Sequence, residues 1–564
     1  MKNLWNNNTA NNCKTDLELR VYSSRLLGQN PELVLHGGGN TSVKIKEINI
    51  FNEEEEILYV KGSGWDLVSI EKEGFSPVKM STLLKLANLE SLSDSDMVRY
   101  QRQALTNPSA PNPSVEAILH ALIPFKYVDH THADAVVTIS NSKDGRTKLQ
   151  EIYGRKVLIM PYIMPGFDLA KQINQVLTEI DINHYEAIIL EHHGVFTFSD
   201  NAKDSYDKMI QIVTKAQDYM YAQNAVICDE KIEEESSGFF TNIANFFSNL
   251  FKTSKADCSI SKPKEISALE LTTIRNKIST IKDRAILVKL DNSLKAHTFS
   301  TTEKVTDLYL GGVQTPEHIL RLKKEPAFIL DENNIDDAFD KFITKYKQYF
   351  EFHYDDTSKN NIDMHNPAPN WAIYQDAGIL CFGKNFKDLN IINDIALCNI
   401  TSMLKAEKLG GYKSISSQDM FDIEYWELEL AKLGKSTPKE FEGKIVFFFE
   451  ENETLKKGFE EKGAVIVTLK DDTQESIEEA VKTYGGVDIL ICDENIEIDL
   501  FLPYLKLGID PKIILKLAEN STTNKLKDCD ISINAIVCDD DKNFEKLCIN
   551  LASNDFNTLN GAIL

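Results

Sequence analysis

Apolar and polar positions along the 564 residues change their period several times, and each change predicts an element. Over residues 1–225, short apolar runs rich in β-branched residues predict strands: ELVLHG, ILYVKG, AVVTIS, KVLIMPYI and AIILEHHGVFTF. Between them LELRVYSSRLLG, VEAILHALI and SYDKMIQIVTKAQDYMYAQ repeat apolar residues at three- and four-residue steps and predict helices. The alternation predicts an α/β domain with a sizeable sheet. Residues 226–265 read as a linker. A charged KIEEESSG spacer leads into FFTNIANFFSNLF, whose Phe239, Phe240, Ile243, Phe246, Phe247, Leu250 and Phe251 recur at helical spacing. The flank is acidic and lacks the basic face of interfacial helices, so packing on a neighbouring domain or across an oligomer is favoured over membrane contact.

Residues 266–440 read as a connecting α/β domain. Its TPEHILRLKKEP segment carries His318, Arg321, Lys323 and Lys324, which suit either an anion site or a solvated basic helix face. Residues 441–564 open with GKIVFFFEENETLKKGFEEKGAVIVTLKDD, a strand, a helix and a strand ending in acidic residues. That is the layout of the first half of a dinucleotide-binding βαβ unit. YGGVDILICDE predicts a further parallel strand.

Bulk numbers narrow the partners. At roughly 100–200 residues per domain, this length implies about three domains. A net charge of −24 and a pI of about 5.0 argue against nucleic acid and anionic membranes as partners. Nine cysteines without a CxxC read as free thiols in a reducing compartment. The polar start MKNLWNNNTANNCKTD has no signal-like apolar core, and no apolar run reaches membrane-spanning length. A soluble, cytoplasmic protein is expected.

The chemistry concentrates in two strings. VDHTHADAVVTI holds His130 and His132, and AIILEHHGVFTF holds His192 and His193. On a strand, residues i and i+2 share a face, so His130 and His132 offer two imidazoles to one point. A third histidine from a neighbouring strand would complete a three-ligand metal site with one open position. Unrelated strand-end histidines and a core histidine are the alternative.

Four further features converge on these strings. HGGGNTSVK (36–44) has three glycines followed by Asn40 and Ser42, and VKGSGWD repeats the pattern with Ser63 and Gly64. Successive backbone N–H groups in such turns make anion-binding concavities. In PNPSVEAILH, Pro113 and Ser114 mark a helix start, which puts Ser114 at its positive end. Glu116 falls in the first turn and His120 one turn on, on the same face. Ordinary first-turn charge bias and a core-facing histidine are the alternatives here. MPYIMPGFD places Tyr162 among prolines, where a packing role is the default.

Together these residues resemble the class II aldolase/adducin N-terminal family, which includes fuculose-1-phosphate and rhamnulose-1-phosphate aldolases and ribulose-5-phosphate 4-epimerases. The resemblance covers roughly residues 16–222 and keeps the order GNxS, SG, PSxE, HxH, PYxxxG and HHG. It implies an αβα aldolase-like domain. It implies that Gly39, Asn40, Ser42, Ser63, Gly64 and Ser114 bind a substrate phosphate. It implies that His130, His132 and His193 hold zinc or another divalent metal, with His192 a neighbour. Glu116 becomes the acid/base residue, a role that asks for a raised pKa. Tyr162 becomes a proton donor to a neighbouring subunit's site, which implies a homo-oligomer. One departure stands out: where fuculose-phosphate-type enzymes have a second serine before the glutamate, this chain has Val115.

The whole chain is similar to bifunctional aldolase/short-chain dehydrogenase proteins of the rhamnulose-1-phosphate aldolase/lactaldehyde dehydrogenase type. Their dehydrogenase half opens with a TGxxxGxG loop. Here FFFEENETLKKG stands instead, with acidic Glu450, Glu451, Glu453 and, further along, Glu460. Like charge there opposes a pyrophosphate, and no Tyr-x-x-x-Lys with a preceding serine is found in 441–564. The expectation is a truncated, degenerate Rossmann-like domain that binds no NAD. The implied activity is zinc-assisted retro-aldol cleavage of a phosphorylated ketose to dihydroxyacetone phosphate and an aldehyde. Epimerisation or dehydration of a sugar phosphate on the same fold, and a non-catalytic adducin-like binding or assembly role, are the competing readings.

Overall fold

The structure is a computed structural model that describes residues 1–227, 261–354, 362–430, 437–449, 452–493, 495–517, 532–537 and 541–553. The Phe-rich linker segment and Glu450 and Glu451 lie outside the described residues. Two compact units interleave in sequence. The first takes its residues from Met1–Cys258, Thr306–Glu325 and Cys398–Lys435, and the second from Ser259–Val305, Pro326–Leu397 and Ser436–Leu564. The expected connecting domain is therefore shared between them.

The first unit is built on seven strands: β1 (Asn40–Ile48), β2 (Glu54–Lys61), β3 (Phe75–Lys79), β4 (Tyr127–Thr131), β5 (Val157–Met160), β6 (Ala187–Leu190) and β7 (Gly194–Ser199). Their order is β3-β2-β1-β4-β7-β6-β5, antiparallel except for the β5/β6 pair. Both faces are buried, and the alternation along each strand shows it. Ile189 and Val195 join Leu27, Val136 and Met209 in one core, while Ile188, Leu190, Phe196 and Phe198 join Leu119 and Ile173 in another. Helices Asp16–Gly28, Asp134–Ser140 and Ala202–Ala222 thus cover one face, and Ala117–Leu122 and Phe167–Glu179 the other.

Two expected strands are not strands. AVVTIS lies within the helix Asp134–Ser140, and ELVLHG forms turns ahead of β1. A short, mostly apolar run that is buried throughout has no period that separates the two states, and packing decides. AIILEHHGVFTF is two strands, broken by a turn at residues 191–193.

The second unit holds two sheets. Four strands, β8 (Leu287–Asp291), β9 (Ala327–Ile329), β10 (Trp371–Tyr374) and β11 (Gly378–Gly383), run in the order β8-β11-β10-β9. Five parallel strands, β12 (Ile445–Phe448), β13 (Val465–Thr468), β14 (Ile489–Asp493), β15 (Lys512–Leu517) and β16 (Ser532–Val537), run in the order β13-β12-β14-β15-β16. The strand–helix–strand opening and the third strand fall where the sequence puts them. Counted along the chain the order is 2-1-3-4-5, a doubly wound arrangement different from the 3-2-1-4-5-6 of dinucleotide-binding sheets. No helix among the described residues is long and apolar enough to cross a membrane.

Candidate functional site

Strand β4 is central and wholly buried, and its two faces do different work. Asp129 turns toward the helices Asp16–Gly28 and Ala202–Ala222. It pairs with Arg20 at 2.5 Å, both side chains fully buried, and accepts a hydrogen bond from Ser205 Oγ. The opposite face presents His130, stacked on Phe196 of β7 at 4.0 Å between ring centroids. His132 follows just past the strand end. His193 arrives from the turn between β6 and β7. The three rings lie 5.0–5.1 Å apart, and each offers a nitrogen within 4.8 Å of the others.

Glycine at 194 makes this approach possible. A Cβ there would sit 2.3 Å from Thr131 O, 3.0 Å from His130 Cε1 and 3.2 Å from His132 Cδ2. Any side chain after His193 would push β7 away from the histidines. His192 turns elsewhere: its backbone N–H donates to Ser140 Oγ and its Nδ1 meets Asn141 Oδ1 at 3.0 Å.

Glu116 completes the cluster. Its Oε2 lies 3.5 Å from His130 Nε2 and its Oε1 3.7 Å from His193 Nε2. Asn40 Nδ2 donates to Oε2 at 2.6 Å and to Ser114 Oγ at 3.1 Å. His120 links the next layer: its Nε2–H donates to Asn40 Oδ1, and its Nδ1 accepts from Ser42 Oγ at 2.8 Å. Burial holds His120 neutral, with its pKa down at about 3.

The expected raised pKa of Glu116 is not found. Burial pushes the carboxyl up, but the imidazoles of His130 and His193 and the Asn40 amide outweigh it, and the pKa falls to about 2. The apolar pocket is only half of this environment; the other half is polar and aimed at the carboxylate. Glu116 is held ionised, as a group that begins by accepting a proton must be.

His130 Nδ1 donates to Val195 O at 3.1 Å, which leaves Nε2 with its lone pair. That Nε2 and Glu116 Oε1 are buried without a hydrogen bond. Three imidazoles and a carboxylate around such atoms are a donor set for a divalent ion such as zinc.

The three Gly/Ser turns meet at one corner. Lys61 Nζ donates to Gly37 O, the Ser114 N–H to Lys61 O, and the Ser63 N–H to Asn112 O. Gly39 packs against His130 O, and Gly64 is exposed with a left-handed backbone. Lys61, a buried cation beside these turns, escaped the sequence reading although it stands next to the Gly-Ser-Gly string. Two assignments change. Ser42 is fully buried and its hydroxyl is spent on His120, so it supports the site from behind and does not face an anion. Ser114 precedes the helix, which starts at Ala117 and has six residues; its hydroxyl serves Asn40 and the Glu116 N–H. A helix-dipole argument for Ser114 does not apply.

Tyr162 is half-buried in the loop after the edge strand β5, three strands from β4, and is not part of the cluster. The basic string around His318 is not a solvated helix face: His318 and Lys323 are buried, and the helix Ile319–Leu322 has one turn. The residue of this string that reaches the histidines is acidic. Glu317 Oε2 lies 3.1 Å from His132 Nδ1.

Comparison with known proteins adds to this geometry. Residues 18–220 match the family described as Class II Aldolase and Adducin N-terminal domain, and residues 265–433 match Aldolase class II, second domain. A Bacillus subtilis (strain 168) protein named Uncharacterized oxidoreductase YuxG is 25% identical over 534 residues, spanning 87% of this chain and 74% of that one. The N-terminal class II aldolase domain of a conserved Thermoplasma acidophilum protein is 39% identical, covering 39% of this chain and 99% of its own, at a TM-score of 0.36. An l-fuculose-1-phosphate aldolase from Thermus thermophilus is 17% identical, covering 36% of this chain and 95% of its own, at a TM-score of 0.25.

Proposed function

Residues 18–220 of this chain are a class II aldolase and adducin N-terminal domain, and on that premise we propose that the protein is a metal-dependent aldehyde-lyase. Its reaction is retro-aldol cleavage of a phosphorylated ketose, rhamnulose-1-phosphate-like, to dihydroxyacetone phosphate and an aldehyde. The observation that carries this reading is the pair of buried atoms without hydrogen bonds, His130 Nε2 and Glu116 Oε1, inside a three-histidine cluster.

His130, His132 and His193 would hold the ion, which supplies Lewis acidity to the ketose carbonyl and its neighbouring hydroxyl. Glu116, kept ionised, accepts the proton of the hydroxyl beside the scissile carbon–carbon bond. That bond breaks, the hydroxyl carbon leaves as the aldehyde, and the electron pair passes to the enediolate. Glu116 then returns its proton to the enediolate carbon. Asn40 orients Glu116 through the bond to Oε2. Gly39, Asn40, Ser63, Gly64 and Ser114 line the phosphate end, with Lys61 as the nearby cation. Tyr162, far from its own cluster, serves a neighbouring subunit's site, where its hydroxyl donates a hydrogen bond to the oxygen of the departing aldehyde, so the working form is a homo-oligomer.

The five-stranded domain is assigned no nicotinamide chemistry. The chain from β12 to the helix Glu453–Glu461 has no glycine, and Phe448, Phe449 and Asp493 line the hollow at the strand ends. Saturable micromolar NAD(P) binding would overturn that assignment.

The main test is a coupled assay for dihydroxyacetone phosphate across ketose 1-phosphates, with metal analysis of the same sample. Release of dihydroxyacetone phosphate by a zinc-loaded protein supports the lyase. Product isomers without it would make the enzyme an epimerase, and a protein that takes up no divalent ion would be a binding module. Glu116→Gln is expected to lower turnover by about 10²–10⁴ while sparing metal content.

A further inference from the structure

For His130 and His132 the partner of the nitrogen that does not face the cluster is a defined group. For His130 it is a backbone carbonyl of the same domain, Val195 O at 3.1 Å from Nδ1. For His132 it is Glu317, whose Oε2 lies 3.1 Å from Nδ1. Glu317 lies outside residues 18–220 and within the second family domain, in a 3₁₀ turn over Pro316–His318.

The orientation of the His132 ring agrees with that division of labour. Its Cδ2, next to Nε2, is turned to Gly194 beside His193, while its Nδ1 edge looks at Gly38. Gly38 is itself informative. A Cβ there would stand 3.4 Å from both Glu317 Oε2 and His132 Nδ1, and 2.9 Å from Leu35 O. The middle glycine of the HGGGN string thus leaves the carboxylate and the imidazole the room they need to meet. Both side chains are mostly shielded, at 22% and 13% exposure, so water competes weakly for the contact.

A carboxylate on one imidazole nitrogen fixes the tautomer and the ring plane, and it makes the other nitrogen a better donor. We propose that Glu317 is a positioning residue for His132: it accepts the Nδ1–H, commits Nε2 to the metal, and so makes the first domain's metal affinity depend on the second. The inference rests on the reading of the three histidines as metal ligands.

The test is zinc affinity of the full chain, measured by competition with a chromophoric chelator, with cobalt substitution as the second readout. Glu317→Ala is expected to weaken zinc binding about 10–100-fold. Glu317→Gln, whose amide oxygen still accepts the Nδ1–H, is expected to recover most of that loss. The cobalt absorption spectrum should keep its coordination number in both variants, because Glu317 acts on the ligand and not on the metal. Native affinity in Glu317→Ala would overturn the proposal, as would a cobalt spectrum that loses an oxygen ligand. If Glu317→Ala fails to fold, Glu317→Lys takes its place: it removes the acceptor while keeping a long side chain, and native zinc affinity there refutes the role. Failure of the native chain to bind zinc would defeat the metal reading itself, an outcome distinct from a native chain that binds and a Glu317→Ala variant that matches it.

Discussion

The two units use the same two fasteners, and in the first unit one of them stands beside a buried histidine nitrogen that has no hydrogen bond. In each, a fully buried arginine pairs with a fully buried aspartate: Arg20 with Asp129, and Arg275 with Asp488. In each, a strand lysine reaches carbonyls at and just beyond the end of a helix. Lys44 on β1 donates to His120, Ile123 and Phe125, and Lys512 on β15 donates to Leu551, Ala552 and Ser553. Asp488 meets a bidentate Arg275 and the backbone N–H groups of Ile445 and Ile509. Among the described residues of the five-stranded sheet, no buried side-chain polar atom lacks a hydrogen bond. Asp129 is equally well satisfied, but the next residue along β4 is His130, whose Nε2 is not. Leaving a buried donor or acceptor unmet costs about 1–3 kcal/mol. Beside β4 the unmet atom belongs to the three-histidine cluster, so the same scaffold chemistry stands directly behind a candidate site in one unit and within a parallel sheet in the other.

Metal removal is the strongest perturbation of the first unit. Dialysis against a chelator is expected to lower turnover at least ~10³-fold, about 4 kcal/mol in activation free energy, with recovery on adding zinc back. Turnover that survives in demonstrably metal-free protein would leave the histidines as unexplained core residues. Next comes the pair in the second unit. Asp488→Ala strands Arg275 as a buried lone charge and is expected to cost about 3–5 kcal/mol, read as a lower denaturant midpoint. The folded fraction should keep its zinc and its turnover; a loss of zinc would mean that the second unit supports the site more directly than its chemistry suggests. The matching change in the first unit, Asp129→Asn, keeps the shape and removes the charge. It is expected to cost about 3 kcal/mol and, because His130 is the adjacent residue on β4, to weaken zinc several-fold as well. Equal zinc affinity in Asp129→Asn and the native chain would separate the fastener from the site.

How much of this could be read from the sequence divides along the same line. The period-two placement of His130 and His132 follows from short-range spacing, the choice of His193 over His192 and the role of Glu116 follow from the family resemblance, and the structure brings those four side chains together. What short range could not supply was partnership. Ser42 looked like part of an anion turn because a glycine run precedes it, but the buried His120 claims its hydroxyl. Glu317 is hidden among the cations of its own string, since nothing local signals that a carboxylate will meet His132. AVVTIS reads as a strand because a short, mostly apolar run that is buried throughout carries no period. The pKa of Glu116 departs from expectation for the same reason: burial is legible in apolar neighbours, whereas Asn40 comes from β1 and the two imidazoles from β4 and the turn after β6.

The two strand lysines separate stability from catalysis. Lys44→Met and Lys512→Met each remove one ammonium from three buried or half-buried carbonyls, and each should cost about 1–3 kcal/mol. As stability changes the two should be indistinguishable. They should differ in kinetics. Lys44 holds the end of Ala117–Leu122, a helix of six residues whose N-cap is Glu116. Over so short a helix, slack at one end is felt at the other, and a shift of the carboxylate relative to His130 and His193 enters the barrier directly. Lys44→Met is therefore expected to lower kcat several-fold with little change in KM, while Lys512→Met leaves both unchanged. If the two variants lose the same stability and the same kcat, the caps are only fasteners and Glu116 is positioned by Asn40 alone. If only Lys44→Met slows the reaction, a device common to both units has been given a catalytic consequence in one of them by what lies at the far end of its helix.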